Sequence, residues 1–166
     1  MAEITIRRFE EGDSYERLTD LLHAAYAEWL LTNQRFTATD QPVEMTRKRC
    51  ASGPTWLAMA EDEWIGTIHL ERADPDHLIP EYRDPAVAIF GQFGILPEWK
   101  GRGVGRQLFD VVKGEASDWG CERLMCDTSE NAFRLHALYD HLGMKLVGTF
   151  DWPTTNYISW LFSLDL

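Results

Sequence analysis

The chain has 166 residues, a formal net charge of −11 and a hydrophobic content of 45%; this length predicts one domain, residues 1–166, that buries roughly 68–70% of its unfolded surface. The acidic balance argues against sequence-independent binding of nucleic acid, and no segment approaches the ~18 consecutive apolar residues of a membrane span. Three cysteines without C-x-x-C spacing, and a start without the apolar region of a signal peptide, favour a cytoplasmic protein.

The first half of the chain contains three strand patterns and two helix patterns. The predicted strands share alternating apolar residues, and they span residues 4–9, 55–60 and 64–72. Apolar residues at helical spacing from Leu18 to Trp29 predict the first helix, with Asp13 or Ser14 as its cap. A short second helix is predicted to end near Gly53. The connections between these elements are polar or rich in proline, and they span 32–41 and 73–85.

The second half begins with the most apolar segment of the chain. Residues 86–95 are almost continuously apolar, which predicts a strand at the centre of a sheet. The next helix runs from Gly103 to about Trp119, and Gly120 ends it. The remaining elements are predicted from similar patterns: a strand over 123–127, a helix over 131–142, and strands over 144–150 and 157–164. The predicted element order is βααβββαβαββ.

Between the apolar strand and the helix after it, glycines alternate with basic residues. This glycine segment consists of Lys100, Gly101, Arg102, Gly103, Val104, Gly105 and Arg106. Bare glycine backbone at the start of a helix presents unpaired N–H groups and the positive end of the helix dipole, a combination that binds phosphate. The spacing fits neither the dinucleotide fingerprint G-x-G-x-x-G nor the P-loop G-x-x-x-x-G-K-[ST]. The segment therefore predicts a site for a different phosphate ligand, and the alternative is a turn with solvated basic residues.

The glycine segment, written basic-x-x-G-x-G, resembles motif A of the GNAT family of N-acetyltransferases, Q/R-x-x-G-x-G/A. Residues 131–144 are similar to the family's N-x-x-A-x-x-L-Y-x-x-x-G-F/M helix, with matches at Asn131, Leu138, Tyr139 and Gly143. The resemblance implies a single-domain α/β fold, in which helices cover both faces of a mixed, twisted sheet, with the element order given above.

The resemblance also implies acetyl-CoA as the co-substrate. The residues expected to bind it are Phe93, Gly94, Ile95, Lys100, Gly101, Arg102, Gly103, Val104, Gly105, Arg106 and Asn131. Lys100 stands where the family usually has Arg or Gln, so the charge is kept but the planar fork of a guanidinium is lost. Asn131 either contacts the co-substrate or caps its helix, and the two roles can coexist.

Tyr139 is the predicted general acid, because a tyrosine with the ordinary pKa of about 10 is protonated at pH 7 and can donate to a departing thiolate. The alternative is a tyrosine that only packs in the core. The general base is left open between His69 and Glu71, which share one face of a predicted strand; a solvated strand face is the alternative for both. His136 and His141 are five residues apart, which does not match H-E-x-x-H, and no metal site is predicted.

The motifs leave the acceptor open. The resemblance implies transfer to a primary amine of a small or amino-acid-like molecule, and the alternatives are a protein or peptide acceptor and a non-catalytic acyl-CoA sensor. The presence of Tyr139 and of an intact glycine segment favours catalysis over sensing. Homodimers are common in the family, so self-association is one expectation, whereas nucleic-acid and membrane partners are not expected.

Overall fold

Seven strands and five α-helices form the regular structure of the computed structural model, which describes residues 2–32 and 34–166. In chain order they are β1 (Ile4–Arg8), α1 (Tyr15–Leu30), α2 (Thr37–Asp40), α3 (Val43–Ser52), β2 (Thr55–Ala60), β3 (Glu63–Arg72), β4 (Val87–Ile95), α4 (Val104–Asp118), β5 (Arg123–Ser129), α5 (Phe133–His141), β6 (Lys145–Asp151) and β7 (Ile158–Asp165). Compared with the predicted order, the structure has one additional element, α2, within the polar stretch 32–41. Asn33 of this stretch is outside the described residues. None of these described helices combines the length and apolar character that a membrane crossing requires.

The strands form one mixed sheet in the order β1-β2-β3-β4-β5-β7-β6, which confirms the predicted α/β class. β4 is the fourth of the seven strands, as its apolar run predicted. It runs parallel to β5, with Val87 opposite Arg123 and Ile89 opposite Met125. The pairs β1–β2, β2–β3, β5–β7 and β6–β7 are antiparallel. A nearly continuous apolar strand suits this central place, because both faces of such a strand are normally covered.

The chain divides into two compact units. The first comprises the residues up to Glu71 together with Gln92–Val112, and the second comprises Arg72–Gly91 together with Lys113–Leu166. The first unit therefore holds the glycine segment and the pair His69 and Glu71. The second unit holds α5 with Tyr139.

In the first unit, α1 begins at Ser14, whose hydroxyl accepts a hydrogen bond of 3.1 Å from the N–H of Arg17. This cap is one of the two that the sequence predicted. The buried apolar positions of α1 are the predicted ones: Leu18, Leu21, Leu22, Ala25, Tyr26 and Trp29. A Cβ atom added to Gly94 would lie 2.8 Å from the Cβ of Ala25, so α1 packs directly on the backbone at the end of β4.

One hydrophobic cluster of the second unit consists of Ile79, Tyr82, Val87, Met125 and Leu161. Tyr82 comes from a short 3₁₀ turn, Pro80–Arg83, within the segment 73–85 that was predicted as a loop. β5 pairs with β7 along the whole length of β5, up to Ser129 opposite Ser159. The carboxyl-terminal half of β5 is therefore held firmly on its β7 side.

Candidate active site

The glycine segment lies between the end of β4 and the start of α4. Gly101 and Gly103 have φ angles of +75° and +83°, in the left-handed region that favours glycine. The N–H of Gln107 donates to the carbonyl of Gly103 at 3.1 Å, and the first N–H groups of a helix have no partner within it. A Cβ atom at Gly101 or at Gly103 would have no atom within 4 Å. The start of α4 therefore presents backbone donors beside open space, as an anion site requires.

Gly105 differs from the other two glycines of the segment. A Cβ atom there would lie 3.0 Å from Cδ1 of Ile95 and 3.4 Å from Cζ of Phe93. The missing side chain thus allows α4 to approach the end of β4. Gly105 acts through this packing, whereas Gly101 and Gly103 shape the open part of the segment.

The basic side chains of the segment all have partners on the protein. Lys100 forms an ion pair with Glu28, and the guanidinium of Arg102 lies 4.9 Å from the ring centroid of Trp99. Nε of Arg106 is 3.8 Å from Oδ2 of Asp110. Exposed pairs of this kind contribute only about 0–1 kcal/mol. A bound phosphate would therefore compete with them at little cost.

β4 departs from regular strand geometry just before the predicted contact residues 93–95. Gln92 has a φ of +50°, which is rare for a residue with a side chain. Its amide exchanges two hydrogen bonds with the amide of Gln41, at 2.7 and 3.2 Å, which hold the side chain in place. The next carbonyl, that of Phe93, accepts a hydrogen bond of 2.9 Å from the hydroxyl of Tyr26. The backbone here is locally twisted and fixed from two sides.

The two candidate bases, His69 and Glu71, are in contact, but their surroundings differ. His69 is 2% exposed, and its Nδ1 and Nε2 lie 2.8 Å from Oγ1 of Thr55 and 3.1 Å from Oε1 of Glu71. The solvated-face interpretation is therefore wrong for His69, because Ser52 at the end of α3 covers this part of β3, with its Oγ 3.2 Å from Nε2. The hydrogen bond from His69 lowers the pKa of Glu71, and the charges of His69 and Arg49 lower it further.

Tyr139 lies on the buried face of α5 and is 4% exposed. Its ring packs against Phe90 and Phe162, with centroid distances of 5.9 and 5.2 Å. Its hydroxyl also hydrogen-bonds to the thiol of Cys126, whose pKa is raised by burial and lowered in part by that bond. The ring is thus a core side chain, and the hydroxyl lies against the buried thiol of Cys126.

The exposed Asn131 precedes α5 and is not its cap. The N-cap position is Ala132, which offers no side-chain hydrogen bond, and Asn131 directly precedes it. His136 stacks on Trp160, with a centroid distance of 4.5 Å, and its Nε2 is bonded to the carbonyl of Ser129. Within residues 2–32 and 34–166, no group of three or more His, Cys, Asp and Glu is placed to hold a metal ion.

Sequence reasoning missed Asp127, which the patterns marked only as the end of a strand. The hydroxyl of Tyr82 donates to its Oδ1 at 2.9 Å, and that of Ser159 donates to its Oδ2 at 3.1 Å. The indole N–H of Trp152 donates to the Oγ of Ser159 at 3.0 Å. Burial raises the pKa of Asp127, although these hydrogen bonds act in the opposite direction. The available signal was its position two residues after Met125, which puts a carboxylate on the same strand face as an apolar side chain.

Comparisons with known proteins agree with this fold. The profile of the acetyltransferase (GNAT) family matches residues 16–144. Aminoglycoside N(6')-acetyltransferase type 1 of Stenotrophomonas maltophilia is 30% identical over 110 residues, which are 65% of this chain and 71% of that protein.

Two solved structures are similar over nearly the whole chain. The IAA acetyltransferase from Bacillus cereus ATCC 14579 has a TM-score of 0.72 and 16% identity, over 99% of this chain and 100% of that one. A GNAT family acetyltransferase from Elizabethkingia anophelis, with acetyl-CoA bound, has a TM-score of 0.71 and 19% identity, over 98% of each chain. At these identities the likeness establishes the fold.

Proposed function

Because the chain belongs to the GNAT family of acetyltransferases, we propose that this acyltransferase moves an acetyl group from acetyl-CoA to a primary amine of a small or amino-acid-like molecule. The predicted family and the predicted enzyme class are confirmed by the family match. The observation that carries the proposal is the glycine segment, where backbone donors at the start of α4 stand beside open space at Gly101 and Gly103.

The glycine segment fits the diphosphate of coenzyme A. The N–H groups of residues 101–106 would hold its oxygens, because a helix start concentrates donors and positive potential. Lys100 and Arg106 would add charge when they leave their acidic partners. The fixed backbone at residues 93–95 would position the acyl portion. Acetyl-CoA supplies the activated acetyl thioester, and the protein supplies orientation and proton transfer.

Proton transfer is assigned to Tyr139 and to the pair of His69 and Glu71. Tyr139 holds a proton on its hydroxyl and would donate it to the departing sulfur, which avoids release of a free thiolate. The attacking amine must lose a proton. Of the two candidate bases, Glu71 keeps part of its carboxylate exposed, whereas both ring nitrogens of His69 are already bonded. Glu71 is therefore the one that a substrate or a water molecule can reach.

Two observations support a small amine as the acceptor. One relative, identical at 30% of the aligned positions, is named as an aminoglycoside N(6')-acetyltransferase. A net charge of −11 also favours the approach of cationic molecules over anionic ones.

The proposal is tested by calorimetry and by an assay for free coenzyme A. We expect acetyl-CoA to bind, and NAD, which also carries a diphosphate, to bind far more weakly. Coenzyme A should then be released with aminoglycosides or amino-acid-like amines and not with peptides. No heat with acetyl-CoA, together with tight binding of NAD, would overturn the co-substrate. Turnover of peptides alone, or binding without any turnover, would replace the proposed acceptor by one of the alternatives.

A further inference from the structure

The second unit contains a carboxylate that the proposed chemistry does not use. Asp127 is surrounded by aromatic side chains, and this group, here called the Asp127 cage, consists of Asp127, His77, Tyr82, Trp152 and Tyr157. The ring of His77 lies 5.0 Å from that of Tyr82 and 6.0 Å from that of Trp152, between centroids. Burial, and to a smaller extent the charge of Asp127, raises the pKa of Tyr157 to about 12, so Tyr157 lies within the field of this carboxylate.

The hydrogen-bond partners of Asp127 leave its charge in place. Tyr82 and Ser159 donate to it through neutral hydroxyl groups. A carboxylate has about four acceptor positions, so these two donors leave positions for a further N–H. A partly buried anion is costly, which makes it a candidate for a functional role.

The Asp127 cage is partly exposed. Only Tyr82 is buried, whereas Asp127, His77, Trp152 and Tyr157 each keep part of their surface exposed. Aromatic faces attract cations, and a carboxylate among them adds a hydrogen-bonded ion pair. This combination suits an ammonium group better than a neutral or an anionic one.

The place of Asp127 in the sheet also favours ligand binding. The parallel pairing of β4 with β5 ends at Ile89 and Met125, two residues before Asp127. Ligands of such folds bind in the crevice at the carboxyl ends of parallel strands. On the other side, Asp127 is paired with Leu161 of β7, which fixes its backbone. The carboxylate is thus rigidly held at the end of a parallel pair.

We propose that the Asp127 cage binds the ammonium group of the acceptor amine. This assignment rests on the proposed function, since it names the site at which that function recognises its second substrate. Asp127 pairs with the cation, and the ring of Trp152 adds cation–π attraction, so a neutral molecule of the same shape binds more weakly. Asp127 is therefore a residue that determines specificity.

The first test compares Asp127→Asn with Asp151→Asn. Asp151 is exposed and is the chain neighbour of Trp152. Its replacement by Asn therefore removes one negative charge close to the cage without changing a residue of the cage. We expect Asp127→Asn to raise the KM for amine acceptors about 10- to 100-fold, the loss typical of a hydrogen bond to a charged group, and to leave the Kd of acetyl-CoA unchanged. Asp151→Asn should leave both within a factor of about two, as rim charges do. An unchanged KM in Asp127→Asn, or equal changes in both variants, would overturn the assignment.

The second test needs no turnover. Butylammonium is titrated into the wild type while NMR follows the indole N–H of Trp152, identified with Trp152→Phe, and butanol serves as the uncharged control. We expect a saturable shift with butylammonium that is absent with butanol and in Asp127→Asn. The same response to butanol, or none to butylammonium, would overturn the assignment. Failure of acetyl-CoA to bind would instead refute the proposed function, and this titration would still decide the cage.

Discussion

At Tyr139 the chemistry depends on one oxygen atom. Tyr139→Phe keeps the ring contacts with Phe90 and Phe162 and removes the hydroxyl. We expect kcat to fall about 10²- to 10⁴-fold, the usual contribution of a general acid, with an unchanged Kd for acetyl-CoA. Steady-state assays and calorimetry measure the two effects. Tyr15→Phe, which removes a hydroxyl from a tyrosine that packs on Phe9, is the control and should keep full activity. Undiminished turnover in Tyr139→Phe would assign Tyr139 to packing alone.

The contribution of Gly103 to acetyl-CoA binding can be distinguished from the backbone strain of an added side chain by a comparison with Gly12. Their φ angles are +83° and +103°, and a Cβ at either position meets no atom within 4 Å. Alanine at each should therefore lower the free energy of unfolding by a similar amount, about 1–2 kcal/mol. Only Gly103→Ala should also weaken acetyl-CoA binding, by about tenfold or more, which corresponds to about 1.4 kcal/mol. Denaturant titration and calorimetry give both numbers, and equal acetyl-CoA affinities in the two variants would contradict the diphosphate site.

At the scale of elements, the sequence predicted what local patterns encode. The apolar run 86–95 became β4 at the centre of the sheet, and the helix predicted from Gly103 became α4, Val104–Asp118. Gly120 follows that helix with a φ of +80°, as a terminating glycine does. Such signals depend on residues close together in the chain, so they can be recognised without knowledge of the tertiary structure.

The features that were missed depend on contacts between distant segments. His69 alternates along β3 like a solvent-facing residue, and it is buried because Ser52, from the end of α3, covers it. Asp127 receives its hydrogen bonds from Tyr82 and Ser159, which lie in a loop turn and in another strand. No pattern within a single element predicts such neighbours. The polar surroundings of a site are therefore harder to predict than its backbone loop.

Gly105 and Gly114 occupy the same helix and test how α4 meets β4. A Cβ at Gly105 would lie 3.0 Å from Cδ1 of Ile95, whereas one at the exposed Gly114 has open space. We expect Gly105→Val to lower the free energy of unfolding by about 1–3 kcal/mol through overpacking. Gly114→Val should change the free energy of unfolding by only about a few tenths of a kcal/mol, because the helix propensities of glycine and valine differ by roughly this amount. Equal stabilities in thermal unfolding would contradict the close approach of α4 to β4. Any loss of acetyl-CoA binding in Gly105→Val would follow from a displaced helix.

For the whole molecule, two carboxylates make opposite contributions to the dependence of stability on pH. Burial raises the pKa of Asp127 in the folded protein. At pH values between the ordinary carboxyl pKa, near 4, and this raised pKa, the folded state therefore binds more protons than the unfolded state. Ionised Asp127 therefore opposes folding at neutral pH, and this penalty disappears as the pH falls through its raised pKa. Glu71 behaves in the opposite way, because His69 lowers its pKa. Its stabilising contribution is present above the ordinary carboxyl pKa and is lost as the pH falls through the lowered value.

Chemical denaturation of the wild type, Asp127→Asn and Glu71→Gln between pH 7 and pH 3 separates the two contributions. As the pH falls from 7 towards 4, the wild type should gain stability relative to Asp127→Asn, because the buried aspartate binds a proton on folding and the asparagine does not titrate. Below about pH 4 the wild type should lose its advantage over Glu71→Gln, as the carboxylate paired with His69 becomes protonated. Parallel curves for wild type and Asp127→Asn would mean that the carboxylate is as well solvated in the folded chain as in the unfolded one. The Asp127 cage would then lack the desolvated charge with which it is proposed to bind an ammonium group.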